Sequence, residues 1–522
     1  MRVISLILCL ALTACGVNPV TGKREMQFVS EQQEIKLGEQ HYLASRQSQG
    51  GDFEVLPDVT QYVNAVGQKL AAVADRKLPY EFVVLNNSVP NAWALPGGKI
   101  ALNRGLLTEL KDESELAAVL GHEIVHAAAR HGAKAQERGT LMQAGMAVAQ
   151  VGAAVGGVDQ NIAGLMIQGA GVGAQMAQMK YGRDQELEAD KYGMVYMRRA
   201  GYDPTGAVTL QETFVRLFEQ SDKKSSWFEG LFASHPPSME RVEANKKELA
   251  ELGTGGTVDK ESYAAHIAPL LTLKPAYDKY DKAEAAAQKK DFAAARTLAK
   301  EAVALNQREG LFYQLQGDVE LAEKKYAAAL PFYRKAIELN PNYYGSYLGA
   351  GIAQLRSGDR QQAEQWLKKS ADLLPTAPAA YYLGTLSKER GDNAGAAQYY
   401  KAAAESQSSY GQLATSELVR MDLPQNPGNY IATAGQLDGA GRLVLIVENR
   451  APLPLKNIRI TPVLVDATGR VINQAAPLTV RQTLASNQRI ADDAGVGQVA
   501  PADLANIRFR IDGAEIAESE QK

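Results

Sequence analysis

The sequence predicts a multidomain, mainly α-helical protein with three folded parts: an α+β domain with a small edge-strand sheet, an α-solenoid, and a C-terminal β-sandwich. The length of 522 residues exceeds that of one ordinary domain. Helical patterns recur at a fixed period in the second half of the chain, and short β-type runs dominate its C-terminal part.

Composition and charge narrow the class of protein. Hydrophobic residues make up 45% of the chain and charged residues 22%, which is typical of folded domains. The net charge is -3, from 56 basic and 59 acidic residues, so no nucleic-acid partner is expected. Both cysteines, Cys9 and Cys15, lie near the N-terminus. Disulfides therefore cannot stabilise the body of the protein.

Residues 1–14 are predicted to be a signal peptide. Arg2 precedes the apolar run Val3–Ala14, which is too short to span a bilayer core of about 30 Å. The residues from Leu12 to Cys15 resemble a bacterial lipobox, which predicts a lipid on Cys15. A plain secretory signal is the alternative. In such signals, an Asp directly after the lipid-carrying Cys resembles an inner-membrane retention signal. Gly16 occupies that position here. By analogy, this predicts a lipid anchor in the outer membrane, facing the periplasm.

Residues 15–52 are predicted to form an extended leader and an N-terminal helix. Ser30 and Gln33 have the form of a capping box before the helical stretch Glu34–Ala44. Residues 53–255 are predicted to be the α+β domain. Its predicted elements are a helix over 57–75, a strand over 80–85, a hairpin over 91–102, and helices over 112–134 and 184–200.

Residues 139–180 carry almost no charge. Between Arg138 and Lys180 the only charged residue is Asp159. A transmembrane hairpin is one interpretation, but Gly and Gln are frequent and strongly apolar residues are sparse for a lipid-facing span. Closely packed small-residue helices, or a mobile lid over a neighbouring cleft, are the favoured interpretation.

Residues 276–420 contain a helical repeat. Ala295, Ala329, Ala363 and Ala396 are separated by 34, 34 and 33 residues, and glycines recur at the same spacing. This period and these small residues match tetratricopeptide repeats, in which paired helices approach closely. The repeats predict a surface for a protein partner without identifying that partner.

Residues 428–518 are predicted to form the β-sandwich. Runs rich in β-forming residues at 443–449, 458–466, 469–475 and 507–512 are separated by turn residues. No catalytic combination of residues is visible in this part of the sequence.

The chemistry is concentrated in the motif His122-Glu123-Ile124-Val125-His126. On a helix, residues four apart share a face, so both imidazoles can reach one metal ion. Glu123 projects near the same ion and can take a proton from a water held there, as a general base does in metal-dependent hydrolysis. Two unrelated histidines on an amphipathic helix are the alternative, but their pairing weighs against it.

A second helix offers a third ligand. Hydrolytic zinc sites use three protein ligands and one open position, and Glu186 can complete the set with His122 and His126. Asp190, one turn later, can accept a hydrogen bond from a ligating imidazole and orient its ring. Read alone, residues 186–190 are a charged, solvated face. Together with the histidines they predict one Zn²⁺, although the sequence does not exclude cobalt or manganese.

These motifs resemble the zinc metallopeptidase family of HtpX and the CaaX prenyl proteases, metallopeptidase family 48. HEIVH and RDQELEADKYG (183–193) lie between NAWALPGGKI (91–100) and SHPPSMERV (234–242), in the order of that family. The combination of a secretory signal, this motif set and tetratricopeptide repeats resembles the domain organisation of a periplasmic branch of the family. The resemblance implies a gluzincin-type domain with zinc on His122, His126 and Glu186, Glu123 as the base, and Asp190 behind the ligands.

The resemblance also implies a role for His235, because relatives place a histidine near the metal at this position. His235 can fill the open coordination position and keep the site latent, or contact the reacting substrate. A turn histidine packed against Pro236 is the alternative. His131 is predicted to be structural or surface-exposed, because it lies too far along the same predicted helix to reach the ion.

Two functions are compatible with these patterns. The first is a zinc-dependent endopeptidase of the bacterial periplasm that acts on misfolded or stalled envelope and outer-membrane proteins. The second is a repeat-based chaperone or assembly scaffold for outer-membrane proteins, with little or latent proteolysis. By resemblance, the expected partners are polypeptide substrates and the outer-membrane assembly machinery.

Overall fold

The computed structural model describes residues 15–135, 137, 181–220 and 231–517. The predicted signal peptide over 1–14 and the low-charge segment 139–180 lie outside the described residues. Within the described ranges, no helix is long and apolar enough to cross a bilayer. Contacts divide the chain into one unit that ends at Ala379 and a second that begins at Ala380.

The leader forms a small hairpin before the first helix. Strands β1 (Cys15–Val17) and β2 (Arg24–Met26) pair antiparallel, which the sequence did not predict because three-residue strands show no usable periodicity. Helix α1 covers Glu31–Ser48. The predicted capping box is present: the Ser30 side chain accepts from the Gln33 amide, and the Gln33 side chain accepts from the Ser30 amide.

A three-stranded sheet lies at the centre of the α+β domain. Strand β3 (Glu81–Leu85) runs parallel to β5 (Lys99–Asn103), and β4 (Ala92–Leu95) pairs antiparallel with the other side of β5. Strand β4 is therefore an edge strand of this sheet. Helix α2 (Pro57–Ala71) packs against β3, and the short helix α3 (Arg104–Leu107) follows β5.

Helix α4 (Glu113–Ala128) runs through the core of the domain, and every residue from Ser114 to Ala128 is buried. Asp112 begins it by accepting a hydrogen bond from the Glu115 amide at 3.0 Å. The prediction that this helix continues to about Lys134 was wrong. It ends at Ala128 because Arg130 adopts a left-handed backbone conformation, with φ of 65°, and residues 131–135 form a separate helical turn.

The remaining helices of this domain surround α4. They are α5 (Arg183–Arg199), α6 (Thr205–Gln220), α7 (Leu231–Ser234) and α8 (Met239–Leu252). The long helix α9 (Lys260–Gln288) packs back onto the domain, and the Tyr263 hydroxyl donates to the carbonyl of Leu107 at 2.6 Å. One continuous apolar cluster joins α2, the sheet, α4, α5 and α9.

Helical hairpins follow α9. The bounds of these helices are α10 (Phe292–Leu305), α11 (Gly310–Ala322), α12 (Tyr326–Leu339), α13 (Tyr344–Arg356), α14 (Arg360–Leu373), α15 (Ala377–Glu389), α16 (Asn393–Ala404) and α17 (Ser409–Asp422).

The periodic glycines of the repeats mark places where two helices touch. A Cβ atom on Gly317 would lie 2.9 Å from the Tyr333 ring, one on Gly351 would lie 2.7 Å from Leu367, and one on Gly384 would lie 2.8 Å from the Tyr400 ring. Such distances are shorter than carbon contacts allow. The period seen in the sequence is therefore a packing requirement.

The C-terminal residues form two antiparallel sheets that share one apolar cluster. One sheet contains β6 (Ile431–Leu437), β7 (Arg442–Asn449) and β11 (Arg489–Gln498); the other contains β8 (Leu455–Val465), β9 (Val471–Gln474), β10 (Leu478–Val480) and β12 (Ile507–Ile516). The sequence did not predict β6, β10 or β11. Strand β11 is almost entirely exposed and β10 has three residues, so neither shows a clear apolar alternation.

Candidate metal centre

Helix α4 presents the motif residues to the interior of the domain. His122, Glu123 and His126 are all buried. The Nε2 atoms of the two histidines lie 2.9 Å apart. Both nitrogens face the same point because four residues advance a helix by about one turn. Two imidazole N–H groups cannot point at each other at this distance, so at least one of the nitrogens has a free lone pair.

A pair of glycines lets helix α5 approach α4 closely. A Cβ atom on Gly121 would lie 3.1 Å from the carbonyl oxygen of Gly193, and one on Gly193 would lie 3.1 Å from the amide nitrogen of His122. Larger residues at these positions would push the helices apart. The close crossing carries Glu186 and Asp190 to the histidines of α4.

Four side chains meet at one point: His122, His126, Glu186 and His235, whose candidate ligand atoms all lie within 4.8 Å of one another. Glu186 Oε1 lies 3.4 Å from His126 Nε2, and Glu186 Oε2 lies 3.5 Å from His122 Nε2. His235 Nδ1 lies 3.3 Å from His122 Nε2 and 3.1 Å from Glu186 Oε1. All four residues are buried.

This donor set fits a tetrahedral metal ion. Nitrogen and oxygen ligands about 2.0–2.2 Å from such an ion lie about 3.3–3.6 Å from one another. Four contacts in the cluster run from 3.1 to 3.5 Å, the Nε2 atoms of His122 and His126 are closer at 2.9 Å, and all candidate ligand atoms lie within 4.8 Å of one another. The chemistry also fits, because imidazole nitrogens and one carboxylate are common ligands of a divalent transition metal.

Asp190 and Arg241 support the cluster from behind. Asp190 Oδ1 lies 2.9 Å from His122 Nδ1, so it can accept that N–H and leave Nε2 free for a metal. Arg241 donates to both oxygens of Asp190 at 2.7 and 2.8 Å and lies 2.9 Å from Glu186 Oε2. The two carboxylates are thus held in place by one buried guanidinium.

The two glutamates of the site have opposite pKa shifts. Burial raises the pKa of Glu123 above its usual range, and the neighbouring His235 and His122 do not outweigh it. Burial would also raise the pKa of Glu186, but His235, Arg241 and His122 more than offset it and hold that pKa well below its usual range. Glu186 is therefore the ionised partner, and Glu123 is the more basic carboxylate.

The Glu123 side chain lies beside His235 and a small cavity. Its Oε1 atom lies 3.5 Å from His235 Nε2. Its Oε2 atom is buried and has no hydrogen-bond partner among the residues that the structure describes. A cavity of about 30 Å³ borders His122, Glu123 and His235, which is enough space to hold a water molecule.

The Tyr181 side chain packs against the cluster and also contacts the small sheet. The Tyr181 ring stacks on His126 with 3.8 Å between ring centroids. Its hydroxyl donates to the carbonyl of Ala94 on the edge strand β4 at 3.5 Å. Tyr181 therefore lies between the metal centre and the edge strand.

The structure brings together every candidate site residue of the catalytic and metal sets named from the sequence. It also shows three residues to which sequence reasoning gave no role: Tyr181, Glu188 and Arg241. For His131, predicted to be structural or surface-exposed, the surface alternative is wrong. Arg241 lies inside the SHPPSMERV motif, which was its only signal. The sequence predicted His131 on the helix over 112–134, whereas it lies in the separate helical turn over 131–135. It is buried, and its Nδ1 lies 2.8 Å from Nδ1 of His126. Burial lowers its pKa.

Two parts of the chain match known protein families. Residues 57–249 match the sequence profile of peptidase family M48, and residues 320–385 match a tetratricopeptide repeat profile. These matches confirm the family resemblance and the helical repeats.

Several individual proteins similar to this chain are named as proteases. The chain is 27% identical over 343 residues to the beta-barrel assembly-enhancing protease of Yersinia pestis, covering 61% of this chain and 69% of that protein. It is 29% identical to the Escherichia coli K12 protein of that name, covering 43% of this chain and 45% of the relative. It is also 31% identical to the mitochondrial metalloendopeptidase OMA1 of Schizosaccharomyces pombe, covering 45% of this chain and 66% of that protein. The matched region thus spans under half of the E. coli relative.

Proposed function

We propose that this chain, which carries a peptidase family M48 domain and tetratricopeptide repeats, is a zinc-dependent endopeptidase of the bacterial periplasm that acts on misfolded or stalled outer-membrane proteins. The observation that carries the proposal is the cluster of His122, His126 and Glu186 beside Glu123. The names of the bacterial relatives support the substrate class.

In this proposal His122, His126 and Glu186 hold one Zn²⁺, which gives the domain the gluzincin ligand set. The ion would supply Lewis acidity, which makes water nucleophilic near neutral pH and polarises the scissile carbonyl. Glu123 accepts the proton of the attacking water and returns it to the leaving amine, a task that its raised pKa suits. Asp190 and Arg241 fix the ligand geometry.

His235 is proposed to set the activity of the site. Its Nδ1 atom lies among the candidate ligand atoms, where it can occupy the position that a substrate would need. A rotation of this side chain away from the cluster would open that position. The arrangement supports a latent state that substrate binding relieves.

Substrate binding is proposed at the edge of the small sheet. The main-chain groups of β4 on the side away from β5 make no strand pairing in the described part of the chain. An extended peptide can pair with such an edge through main-chain hydrogen bonds, which suits broad sequence preference. Tyr181 links this strand to His126.

The repeats are proposed to present protein partners, including the outer-membrane assembly machinery. They contact the protease domain and helix α1: Asn86 Nδ2 donates to Glu309 at 2.9 Å, and Gln47 Nε2 of α1 donates to the Asn342 carbonyl at 2.6 Å. A polar cavity of about 720 Å³ lies between the two and is bordered by Asp278 and Asp281 of α9. A partner bound there would be held beside the protease domain.

Three further assignments belong to the same proposal. Cys15 carries a lipid that anchors the protein to the outer membrane, which rests on the lipobox-like sequence that ends there. Residues 53–255 form the protease domain and 276–420 the repeats. Residues 428–518 form a β-sandwich, which the two sheets with a shared apolar cluster support.

The Glu123→Gln variant tests the hydrolytic role. We expect kcat/KM on casein or an unfolded outer-membrane protein to fall about 10²–10⁴-fold while zinc binding persists, because the variant removes only the base. The exposed Glu243→Gln on α8 is the matched control and should retain activity. Chelation should abolish activity, and zinc should restore it. Unchanged cleavage by Glu123→Gln would refute the mechanism.

The alternative function is a chaperone or assembly scaffold with little proteolysis. The size of the repeat and β-rich part supports it, as does the position of His235 in the cluster. Complementation of a strain that lacks the protein separates the two. If Glu123→Gln restores outer-membrane assembly as well as the unmodified chain does, the scaffold function is the principal one.

A further inference from the structure

His131 is brought to the metal centre by a break in the backbone. In a continuous helix, residues five apart point about 140° away from each other, so His131 would face away from His126. Instead α4 ends at Ala128, and Arg130 takes a left-handed φ of 65°. Arg130 is held there by an ion pair with Glu34 and by donation to the Val29 carbonyl at 2.5 Å. The strained turn points His131 back at His126.

Each of the two ring nitrogens of His131 makes one polar contact. Its Nδ1 atom lies 2.8 Å from Nδ1 of His126, and its Nε2 atom lies 3.2 Å from Oε1 of Glu188. His131 is 1% exposed, so water does not compete for either nitrogen. Glu188 projects from α5 between Glu186 and Asp190, yet it contacts neither His122 nor Arg241 in the hydrogen bonds that the structure shows.

If His126 binds a metal, the positions of the hydrogens on His126 and His131 follow from it. A neutral imidazole has one N–H and one lone pair. If Nε2 of His126 is the ligand atom, its hydrogen must be on Nδ1, which then needs an acceptor. Nδ1 of His131 is 2.8 Å away and can accept only if the hydrogen of His131 is on Nε2. That hydrogen points at the carboxylate of Glu188.

We propose that His131 and Glu188 are positioning residues that fix the tautomer and orientation of His126 through a carboxylate–imidazole–imidazole relay. The two ligand histidines are thus supported differently. Asp190 accepts directly from His122 at 2.9 Å, whereas Glu188 acts on His126 through an intervening ring. The proposal deepens the proposed function, because it rests on metal binding by His126.

The outer end of the relay reaches the leader. Asn18, in the turn after β1, is fully buried. Its Nδ2 atom donates to Oε1 of Glu188 at 3.4 Å and to Oε1 of Glu25 at 3.2 Å. Glu25 in turn pairs with Lys134 at 2.5 Å, beyond the backbone break. The hairpin that follows Cys15 therefore holds the carboxylate that ends the relay.

Zinc affinity of the full chain tests the relay without relying on catalysis. We expect His131→Leu to weaken zinc binding about 10–100-fold, as measured by competition with a chelating dye, because it leaves the His126 N–H without an acceptor. His131→Asn should restore most of the affinity, because its side-chain oxygen can accept that N–H. Glu188→Leu should weaken binding less than His131→Leu, and Asn18→Ala least.

Matched controls and a spectroscopic measurement make the test decisive. His266→Leu, at an exposed histidine of α9, and Asp184→Asn, at an exposed acid of α5, should leave zinc affinity unchanged. In the unmodified zinc-loaded protein, ¹⁵N-histidine NMR should show the hydrogen of His131 on Nε2. A hydrogen on Nδ1, or equal zinc affinity in His131→Leu and His266→Leu, would overturn the relay. A failure of the unmodified chain to bind zinc would instead refute the proposed function.

Discussion

The protease domain contains a buried aspartate, Asp190, and the repeats contain a partly buried one, Asp318, and the pKa values of the two shift in opposite directions. Asp190 at the metal centre accepts two hydrogen bonds from Arg241 and one from His122. Although burial would raise its pKa, Arg241 and His122 outweigh that effect and lower it. Asp318 in α11 accepts from the neutral groups of Tyr333 and Gln314. There burial raises the pKa to about 6.

The difference shows that partner charge, and not burial alone, sets the state of these carboxylates. At the candidate metal centre the Arg241 guanidinium pairs with both Asp190 and Glu186, and the pKa of each carboxyl is lowered. In the repeats Asp318 has no cation within hydrogen-bond reach in the described residues, so near neutral pH it is an unfavourable charge in a packed helical pair. Three substitutions test this contrast.

The largest effect is expected at Arg241. Replacement by Met removes the one guanidinium that pairs with Asp190 and Glu186 and leaves these buried acids with histidine partners alone, which should lower the free energy of unfolding by about 3–5 kcal/mol. Thermal or urea unfolding of the protease domain in the presence of chelator measures this loss apart from any effect on metal binding. A loss smaller than about 1 kcal/mol would mean that the guanidinium does not sustain the charges.

The second effect has the opposite sign. The folded-state pKa of Asp318 is about 6, above the ordinary 3.8 of the unfolded chain. The folded state therefore binds more protons between these values, and the stability of the repeats falls as pH rises from about 4 to 6. Asp318→Asn keeps an acceptor for the Tyr333 hydroxyl but has no charge. It should stabilise the repeats by roughly 1–3 kcal/mol above pH 6.

The pH dependence of that gain is the critical measurement. Hydrogen exchange of α11 should slow in Asp318→Asn relative to the unmodified chain at pH 7.5, and the difference should largely vanish near pH 4. A gain of the same size at both pH values would show that the substitution acts through packing and not through charge.

The smallest effect is expected at Arg296, the counterpart of Arg241 on the repeats. It pairs with Glu320 at 2.8 Å and also with Glu323, but its side chain is 27% exposed. Water already screens these charges, so Arg296→Met should change the free energy of unfolding by only about 0–1 kcal/mol. Unfolding measured as for Arg241→Met gives the comparison. A loss as large as that of Arg241→Met would remove the distinction between the two regions.

Much of the local structure was predictable because it depends on neighbouring residues. The capping box of Ser30 and Gln33, the N-cap at Asp112 and the shared face of His122 and His126 follow from helix geometry. The period of the repeats was readable because each repeat must place a small residue where two helices touch. The hairpin around β4 and β5 follows from its turn residues.

The sequence by itself therefore determined where helices α1 and α4 begin, the repeat period and the two motifs that supply the candidate ligands. Only the tertiary structure decided what stands behind those ligands. Arg241 meets Asp190 across 51 positions of the chain, and His131 meets His126 through a left-handed residue inside a predicted helix. The first contact depends on how closely other parts of the chain pack against α4 and α5, and the second on a strained backbone turn that the surrounding residues hold in place. Neither close packing nor backbone strain produces a pattern in the neighbouring sequence from which it could be predicted.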